Sequence, residues 1–105
     1  MNDRKGVLVV MYDLPMTTRK NQKEYRQFRK LLIINGYRML QESVYVKLLH
    51  NMDSAAAQKE FIHSTLPRGG QVNILTMTLA QFKQMESNQN DSFDFSLFSD
   101  DVLWF

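Results

Sequence analysis

The fold is decided by six consecutive apolar residues, VLVVMY at positions 7–12. A run of this length, rich in β-branched side chains and without polar alternation, predicts a strand buried on both faces at the centre of a sheet. Asp13 ends the run, and Pro15 prevents its continuation. A central strand needs partner strands on both sides, and the remaining segments can be assigned outward from it.

A helix and an extended segment follow the central strand. Thr17 and Thr18 are candidate N-caps for a helix over residues 19–35, and Gly36 stands where a helix C-terminus usually ends. Residues 37–49 are rich in strand formers, but QES interrupts their apolar pattern. This segment therefore predicts two short strands or one bent hairpin.

The second half repeats the helix–strand order. A helix is expected over residues 54–66, capped by Asp53 or Ser54 and ended by Pro67. RGG predicts a turn, and residues 71–78 predict a strand. The core candidates of these two elements are Ala57, Phe61, Ile62, Leu66, Val72, Ile74 and Leu75. A capping-box pattern, TLAQ at 78–81, then predicts a short helix to about Glu86.

The order β-α-β-β-α-β predicts an α+β, ferredoxin-like domain over residues 1–86, with two helices on one face of an antiparallel sheet. The uncovered sheet face is expected to join two copies in a homodimer. Residues 87–105 are read as an acidic loop and a hydrophobic segment that forms an extra edge strand. The segment is expected to serve dimer or partner docking through Val102, Leu103, Trp104 and Phe105.

The composition of the 105-residue chain excludes several classes of protein. With no cysteine and two histidines, it has neither a disulfide framework nor the ligands of a structural zinc site. Its longest apolar run is far shorter than the roughly 18 residues of a membrane span. The N-terminus leads directly into the first strand without a cleavage-site pattern. We expect a cytoplasmic protein with no membrane partner.

Positive charge is concentrated in the first half of the chain. Positions 1–50 carry ten Lys or Arg against four acids, whereas positions 51–105 carry three against seven. At 100° per residue, four of these cations lie within about 60° of one another on the first helix and form what we call the basic stripe: Arg19, Lys23, Arg26 and Lys30. Such a stripe is most often simply a solvated helix face. The near absence of acids in the helix favours contact with phosphates instead. Arg29 and Arg38 are candidates to extend this contact surface.

Several stretches resemble a known family. They are YDLP at 12–15, YRQFRK at 25–30, QESVYVKLL at 41–49, and ILTMT at 74–78 followed by QF. In these stretches the chain is similar to CRISPR-associated protein 2, the smaller of the two universal CRISPR spacer-acquisition proteins, which is also called an endoribonuclease. The pattern is closest to the type II branch. Its most specific feature is the distance between YD at 12–13 and SVY at 43–45.

The resemblance implies a ferredoxin-like homodimer that bridges two dimers of an integrase partner and holds double-stranded DNA for insertion. It also implies that some members are metal-dependent nucleases of RNA or duplex DNA. In those, the aspartate that ends the first strand holds the metal, expected to be Mg²⁺, together with its symmetry mate. By position that residue here is Asp13, which makes it the candidate metal ligand and catalytic residue.

Each site residue also has a simpler reading. Asp13 can cap the turn at Leu14 or the first helix through backbone N–H groups. Ser43 can hydrogen-bond near Asp13 or can be a bulge or turn residue. Tyr12 and Tyr45 are expected in the core. The two histidines, His50 and His63, are expected at the surface or at caps.

Three functions remain open at this point. The first is a DNA-binding adaptor in CRISPR spacer acquisition, which the stripe and the resemblance favour. The second is a Mg²⁺-dependent endonuclease that uses Asp13 from two protomers. The third is a toxin-like ribonuclease of the same fold, which an adjacent antitoxin gene would favour.

Overall fold

The structure, a computed structural model, describes residues 5–88. Its elements follow the predicted order, with one 3-10 turn before the second helix. They are β1 (Gly6–Asp13), α1 (Arg19–Ile34), β2 (Arg38–Gln41), β3 (Val44–Leu49), the 3-10 turn Met52–Ser54, α2 (Ala55–Ser64), β4 (Gln71–Thr78) and α3 (Leu79–Lys83).

The four strands form one antiparallel sheet in the order β2-β3-β1-β4. The central strand β1 pairs with β3 on one side and with β4 on the other; Val10, for example, lies opposite both Tyr45 and Ile74. Strands β1 and β2 are parallel with β3 between them, and the same holds for β3 and β4 with β1 between them. This is the ferredoxin-like topology that the sequence predicts.

Strand β1 is buried on both faces, as predicted. Its even-numbered residues Leu8, Val10 and Tyr12 pack into the core beneath the helices, which includes Phe28, Leu32 and Ile62. Its odd-numbered residues Val7 and Val9 belong to a second cluster on the other face, with Val46, Leu48 and Phe82. Among residues 5–88, only the short α3 contributes a helix residue to that second cluster, so the described helices leave most of this face uncovered. We call it the open sheet face.

Helix α1 begins where the sequence predicts and ends at Ile34, one residue before the predicted end. The Thr18 side chain accepts a hydrogen bond from the backbone N–H of Asn21 at 3.0 Å. At the other end, Gly36 adopts a φ of +91°, a backbone conformation that favours glycine. Phe28 and Leu32 are buried against the sheet, whereas Leu31, Ile33 and Ile34 in the last turn are exposed.

Helix α2 differs from the prediction at both ends. A 3-10 turn precedes it, and Asn51 caps that turn by accepting from the backbone N–H of Ser54 at 3.1 Å. Ser54 occupies the N-cap position of α2 but makes no side-chain cap, so the expectation that Asp53 or Ser54 supplies the cap is wrong. The helix also ends at Ser64 rather than at Leu66.

In the second half of the chain, fewer of the predicted core residues are buried than expected. Ile62 is buried, and Phe61, Val72 and Ile74 pack at the edge of the main core. Three candidates lie outside it: Ala57 is exposed, and Leu66 and Leu75 are 42% and 48% exposed. Leu75 shares the open sheet face with Val9, which is its partner in the register. Since side chains alternate along β4, only its even-numbered residues face the helices.

The capping box at the start of α3 is present. The Thr78 side chain accepts from the backbone N–H of Gln81, and the Gln81 side chain accepts from the backbone N–H of Thr78. The helix ends at Lys83 and not at Glu86. The hydrophobic segment predicted as an edge strand lies outside the described residues. Within residues 5–88, no helix is long and apolar enough to cross a membrane.

Candidate nucleic-acid interface and strand-end carboxylate

The basic stripe is exposed from residue 19 to residue 30 of α1. Arg19, Lys23, Arg26 and Lys30 all have exposed side chains on the face that points away from Phe28. The first turn of the helix has no acidic residue, and the last turn has no basic one. The helix dipole favours the reverse arrangement, with acids first and cations last. In the stripe only Arg19 lies in the first turn, where the dipole disfavours a cation. The other three lie mid-helix, so the dipole does not account for their sharing one exposed face, which is suited to an external anion.

The single acid of α1 lies away from the stripe. Glu24 lines a groove of about 220 Å³ beside Leu66 and Pro67, at the loop that leads from α2 to β4. At 100° per residue, Glu24 is about 120° or more from most of the stripe. Its carboxylate therefore leaves the positive potential of the stripe largely in place.

The two proposed extensions of the stripe differ in position. Arg29 lies on α1, three residues after Arg26 and therefore beside it on the helix surface. Its Nε donates a hydrogen bond to the Tyr45 hydroxyl at 2.8 Å. Arg38 is exposed on β2 opposite Val46, a residue of the open sheet face. Residues paired in register point to the same side of a sheet. The structure thus brings Arg29 to the stripe and places Arg38 on the opposite face of the sheet.

Asp13 is the exposed last residue of β1. By alternation it shares the open sheet face with Val9 and Met11, and it lies opposite Gln71 of β4. Among residues 5–88, no group of three or more His, Cys, Asp or Glu side chains is placed to hold a metal ion. In this part of the chain, a metal bound at Asp13 would need ligands from water or from another molecule.

Two backbone features hold the end of β1 in place. Ser43 lies in the turn between β2 and β3 with a φ of +64°, and its carbonyl accepts from the Tyr12 N–H at 3.0 Å. The prediction of a turn residue is therefore confirmed, and Ser43 also lies beside the strand end. On the other side, a Cβ at Gly70 would be 2.6 Å from the Asp13 carbonyl oxygen. The chain can approach Asp13 this closely only because residue 70 has no side chain.

An aromatic cluster lies beneath the middle of α1. Tyr12 packs edge-to-face on Tyr25 and Phe28 and stacks on Tyr45, with ring centroids 5.2 to 6.1 Å apart. The Tyr12 hydroxyl is buried and has no hydrogen-bond partner among the described residues. Burial, together with the neighbouring phenols, raises the pKa of Tyr12 well above its ordinary value. Tyr12 and Tyr45 are core residues, as predicted, and Tyr12 is protonated at neutral pH.

Lys47 is a cation that the sequence analysis did not single out. It lies on β3 and donates to the Asn35 carbonyl at 2.7 Å, with its Nζ 5.6 Å from the centre of the Tyr37 ring. Burial lowers the pKa of Lys47. This charge stabilises the C-terminal end of α1, where carbonyl groups lack helical partners, and it does not belong to the basic stripe. The histidines His50 and His63 have exposed side chains.

The open sheet face is apolar and contains a shallow groove of about 280 Å³. The groove is lined mainly by aliphatic, methionine and aromatic side chains, including Val9, Met11, Leu40, Val44, Leu75, Met77, Phe82 and Met85. Contiguous apolar surface of this kind marks interaction sites in soluble proteins. Asp13 and Arg38 lie on the same face.

Comparison with known proteins places this arrangement in a family. Residues 7–85 match the family model described as CRISPR associated protein Cas2. This chain belongs to the Cas2 family. The CRISPR-associated endoribonuclease Cas2 of Ligilactobacillus salivarius (strain UCC118) is 44% identical over 78 residues, which are 74% of this chain and 77% of that protein. The protein of the same name from Lacticaseibacillus rhamnosus (strain ATCC 53103 / LMG 18243 / GG) is 41% identical over the same shares.

A third Cas2 relative, from Campylobacter jejuni subsp. jejuni serotype O:2 (strain ATCC 700819 / NCTC 11168), is 39% identical over 86 residues, which are 82% of this chain and 60% of that protein.

The family resemblance predicted from the sequence is thus confirmed, while assignment to the type II branch stays a prediction. The basic stripe, Asp13 and Tyr45 all lie inside the matched Cas2 region. The tail residues Val102–Phe105 lie beyond that region and outside the described residues.

The close approach of Gly70 to Asp13 can be tested with a matched pair of glycine substitutions. Gly69 and Gly70 both have positive φ, at +76° and +74°, so alanine at either position costs roughly 1–2 kcal/mol of folding free energy. A Cβ at Gly69 meets only ordinary contact, 3.8 Å from Pro15, whereas at Gly70 it collides with the backbone of residues 13–14.

We therefore expect Gly70→Ala to lower stability in urea more than Gly69→Ala does, and to shift the NMR amide signals of residues 13 and 14. Equal losses of stability, with unchanged signals at the end of β1, would show that Gly70 does not position Asp13.

Proposed function

We propose that this chain acts in CRISPR spacer acquisition as a homodimeric adaptor, which bridges dimers of an integrase partner and binds duplex DNA. The observation that carries the proposal is the basic stripe: four exposed cations on one helix face, in a helix whose single acid lies away from them. A row of Lys and Arg matches the regular negative charge of a duplex backbone. Contacts of this kind hold DNA of any sequence, as an adaptor for varied inserts requires.

The open sheet face supports the homodimer in this proposal. Helices cover one face of the sheet, whereas the other presents Leu75 at 48% exposure and half-buried Met11 and Met77. A second copy, placed face to face, would remove this apolar surface from water and stabilise both chains. A twofold axis would also give the dimer two basic stripes, one on each of its outer helix layers.

We propose that the integrase partner docks on a surface other than the one that binds DNA, because charge is unevenly distributed along the chain. The DNA side would be α1, and the acidic end of the chain would repel a polyanion. We propose that the hydrophobic tail of this acidic end, Val102, Leu103, Trp104 and Phe105, docks in the dimer or on the integrase partner. This assignment rests on composition alone, since the tail lies outside the described residues.

Duplex binding through the basic stripe can be tested by matched charge removal. The triple variant Arg19→Gln/Lys23→Gln/Arg26→Gln removes three stripe cations, and Lys59→Gln/Arg68→Gln/Lys83→Gln removes three exposed cations elsewhere. For every phosphate that is no longer neutralised, the slope of log affinity against log salt should become shallower by about 0.9.

We expect the stripe variant to bind a short DNA duplex at least roughly tenfold more weakly in fluorescence anisotropy, with a shallower salt dependence. The control variant should bind like the wild type. Equal weakening by both variants would mean that net charge, and not the stripe, accounts for binding.

A second candidate function is metal-dependent endonuclease activity on RNA or duplex DNA. It is favoured by the name of the relatives, CRISPR-associated endoribonuclease Cas2, and by the position of Asp13 at the exposed strand end. A single carboxylate per chain supplies too few ligands for a divalent ion. Two Asp13 side chains across a dimer axis would hold Mg²⁺ with water as the remaining ligands. When bound, the ion would activate water and neutralise phosphate charge. Asp13 would bind the ion.

The nuclease candidate makes a separate prediction about Asp13. Purified wild-type protein should cleave labelled RNA or duplex DNA in the presence of Mg²⁺, and a chelator should stop the cleavage. Asp13→Asn should reduce cleavage to background while duplex binding is retained, because the substitution leaves the stripe intact. Asp53→Asn, at an exposed acid in the 3-10 turn, is the control and should cleave normally. Cleavage that survives in Asp13→Asn would contradict this function.

A further inference from the structure

We infer that Tyr45 is a positioning residue for nucleic-acid binding, because it holds the Arg29 guanidinium at the edge of the basic stripe in a conformation ready to donate to phosphate. The inference rests on the proposed duplex binding and adds a residue that lies in the core rather than on the surface. It is carried by the hydrogen bond between Arg29 Nε and the Tyr45 hydroxyl, 2.8 Å long.

The acceptor in this pair is rigid. Tyr45 belongs to the central part of the sheet and is 1% exposed. Its ring stacks on Tyr12 at an interplanar angle of 15°, and Tyr12 is fixed in turn by edge-to-face packing on Phe28. A phenol has few rotatable bonds, and here the neighbouring rings restrict them further. The hydroxyl is therefore a fixed point beneath an exposed arginine.

The donor is attached at one nitrogen only. A guanidinium has five N–H donors, one on Nε and four on the two terminal nitrogens. The bond to Tyr45 uses the Nε donor, so the paired terminal nitrogens are the part of the fork that remains for phosphate oxygens. Arg29 is exposed and lies at position i+3 from Arg26, a spacing that makes side chains neighbours on a helix surface.

Ordering a flexible arginine on binding costs conformational entropy, and a side chain that is already ordered avoids much of that cost. The four residues of the basic stripe have exposed side chains that must be ordered when phosphate binds. Arg29 is different because Tyr45 orders it in the free protein. A lysine at this position would keep the charge but not the forked geometry.

A merely structural role for the pair predicts a different outcome. In that case the hydrogen bond would stabilise α1 on the sheet, and its removal would change unfolding without any specific coupling to duplex affinity. A double-mutant cycle separates the two roles, since residues that act through one another have non-additive effects. The cycle uses Tyr45→Phe, Arg29→Gln and the two together, with duplex affinity and thermal unfolding measured for each.

We expect Tyr45→Phe to weaken duplex binding about three- to tenfold, and to have no further effect in the Arg29→Gln background. The same substitution should add its full effect to Lys23→Gln, since Lys23 does not contact Tyr45. Tyr37→Phe is the matched control: it removes another buried phenol hydroxyl, which donates to Gln58 of α2 at 2.9 Å, and should leave affinity unchanged. Arg29→Lys changes the donor while Tyr45 and the core stay intact, and it should also weaken binding.

The outcomes distinguish this inference from the function on which it rests. Stripe-dependent binding that is unchanged by Tyr45→Phe and by Arg29→Lys, or additive effects of Tyr45→Phe and Arg29→Gln, would overturn the positioning role alone. Wild-type protein that binds no duplex, or binds it without regard to the stripe, would overturn the proposed function and this inference together.

Discussion

The structure depends on the burial of one strand from both sides. Because β1 has apolar side chains on both faces, each face must be covered, and alternation assigns Val10 and Tyr12 to the helix side and Val9 and Met11 to the other. Helices α1 and α2 cover the first face. On the second face, Phe82 of α3 packs in one cluster with the aliphatic residues of β1 and β3, and an apolar groove remains.

This division gives the two surfaces different chemistry. On the helix side, packing of Phe28 and Leu32 against the sheet turns the opposite face of α1 to solvent, and that face carries the basic stripe. The same packing places Tyr45 under Arg29, so the core reaches the charged surface at one point. On the open side, Asp13 ends the strand beside apolar residues. The proposed duplex binding would use the helix side, and the proposed dimer contact would use the open side.

Local chemistry made much of this fold predictable from the sequence. The cap at Thr18, the positive φ of Gly36 and the Thr78 capping box each depend on residues within four positions of one another. The start of α2 was mispredicted because Asn51 caps a preceding 3-10 turn that has no periodic pattern. The Arg29–Tyr45 bond was missed because its partners are 16 positions apart in different elements, where only the register of the fold brings them together.

The central claim is that the open sheet face joins two copies of this chain, and light scattering tests it most directly. Leu75 and Leu66 are similarly exposed, at 48% and 42%, but only Leu75 lies on the open sheet face. We expect a wild-type mass of twice the 12.4 kDa chain, a monomer for Leu75→Glu because it buries a charge in the contact, and a dimer for Leu66→Glu. A monomeric wild type, or a Leu75→Glu protein that still dimerises, would contradict the claim.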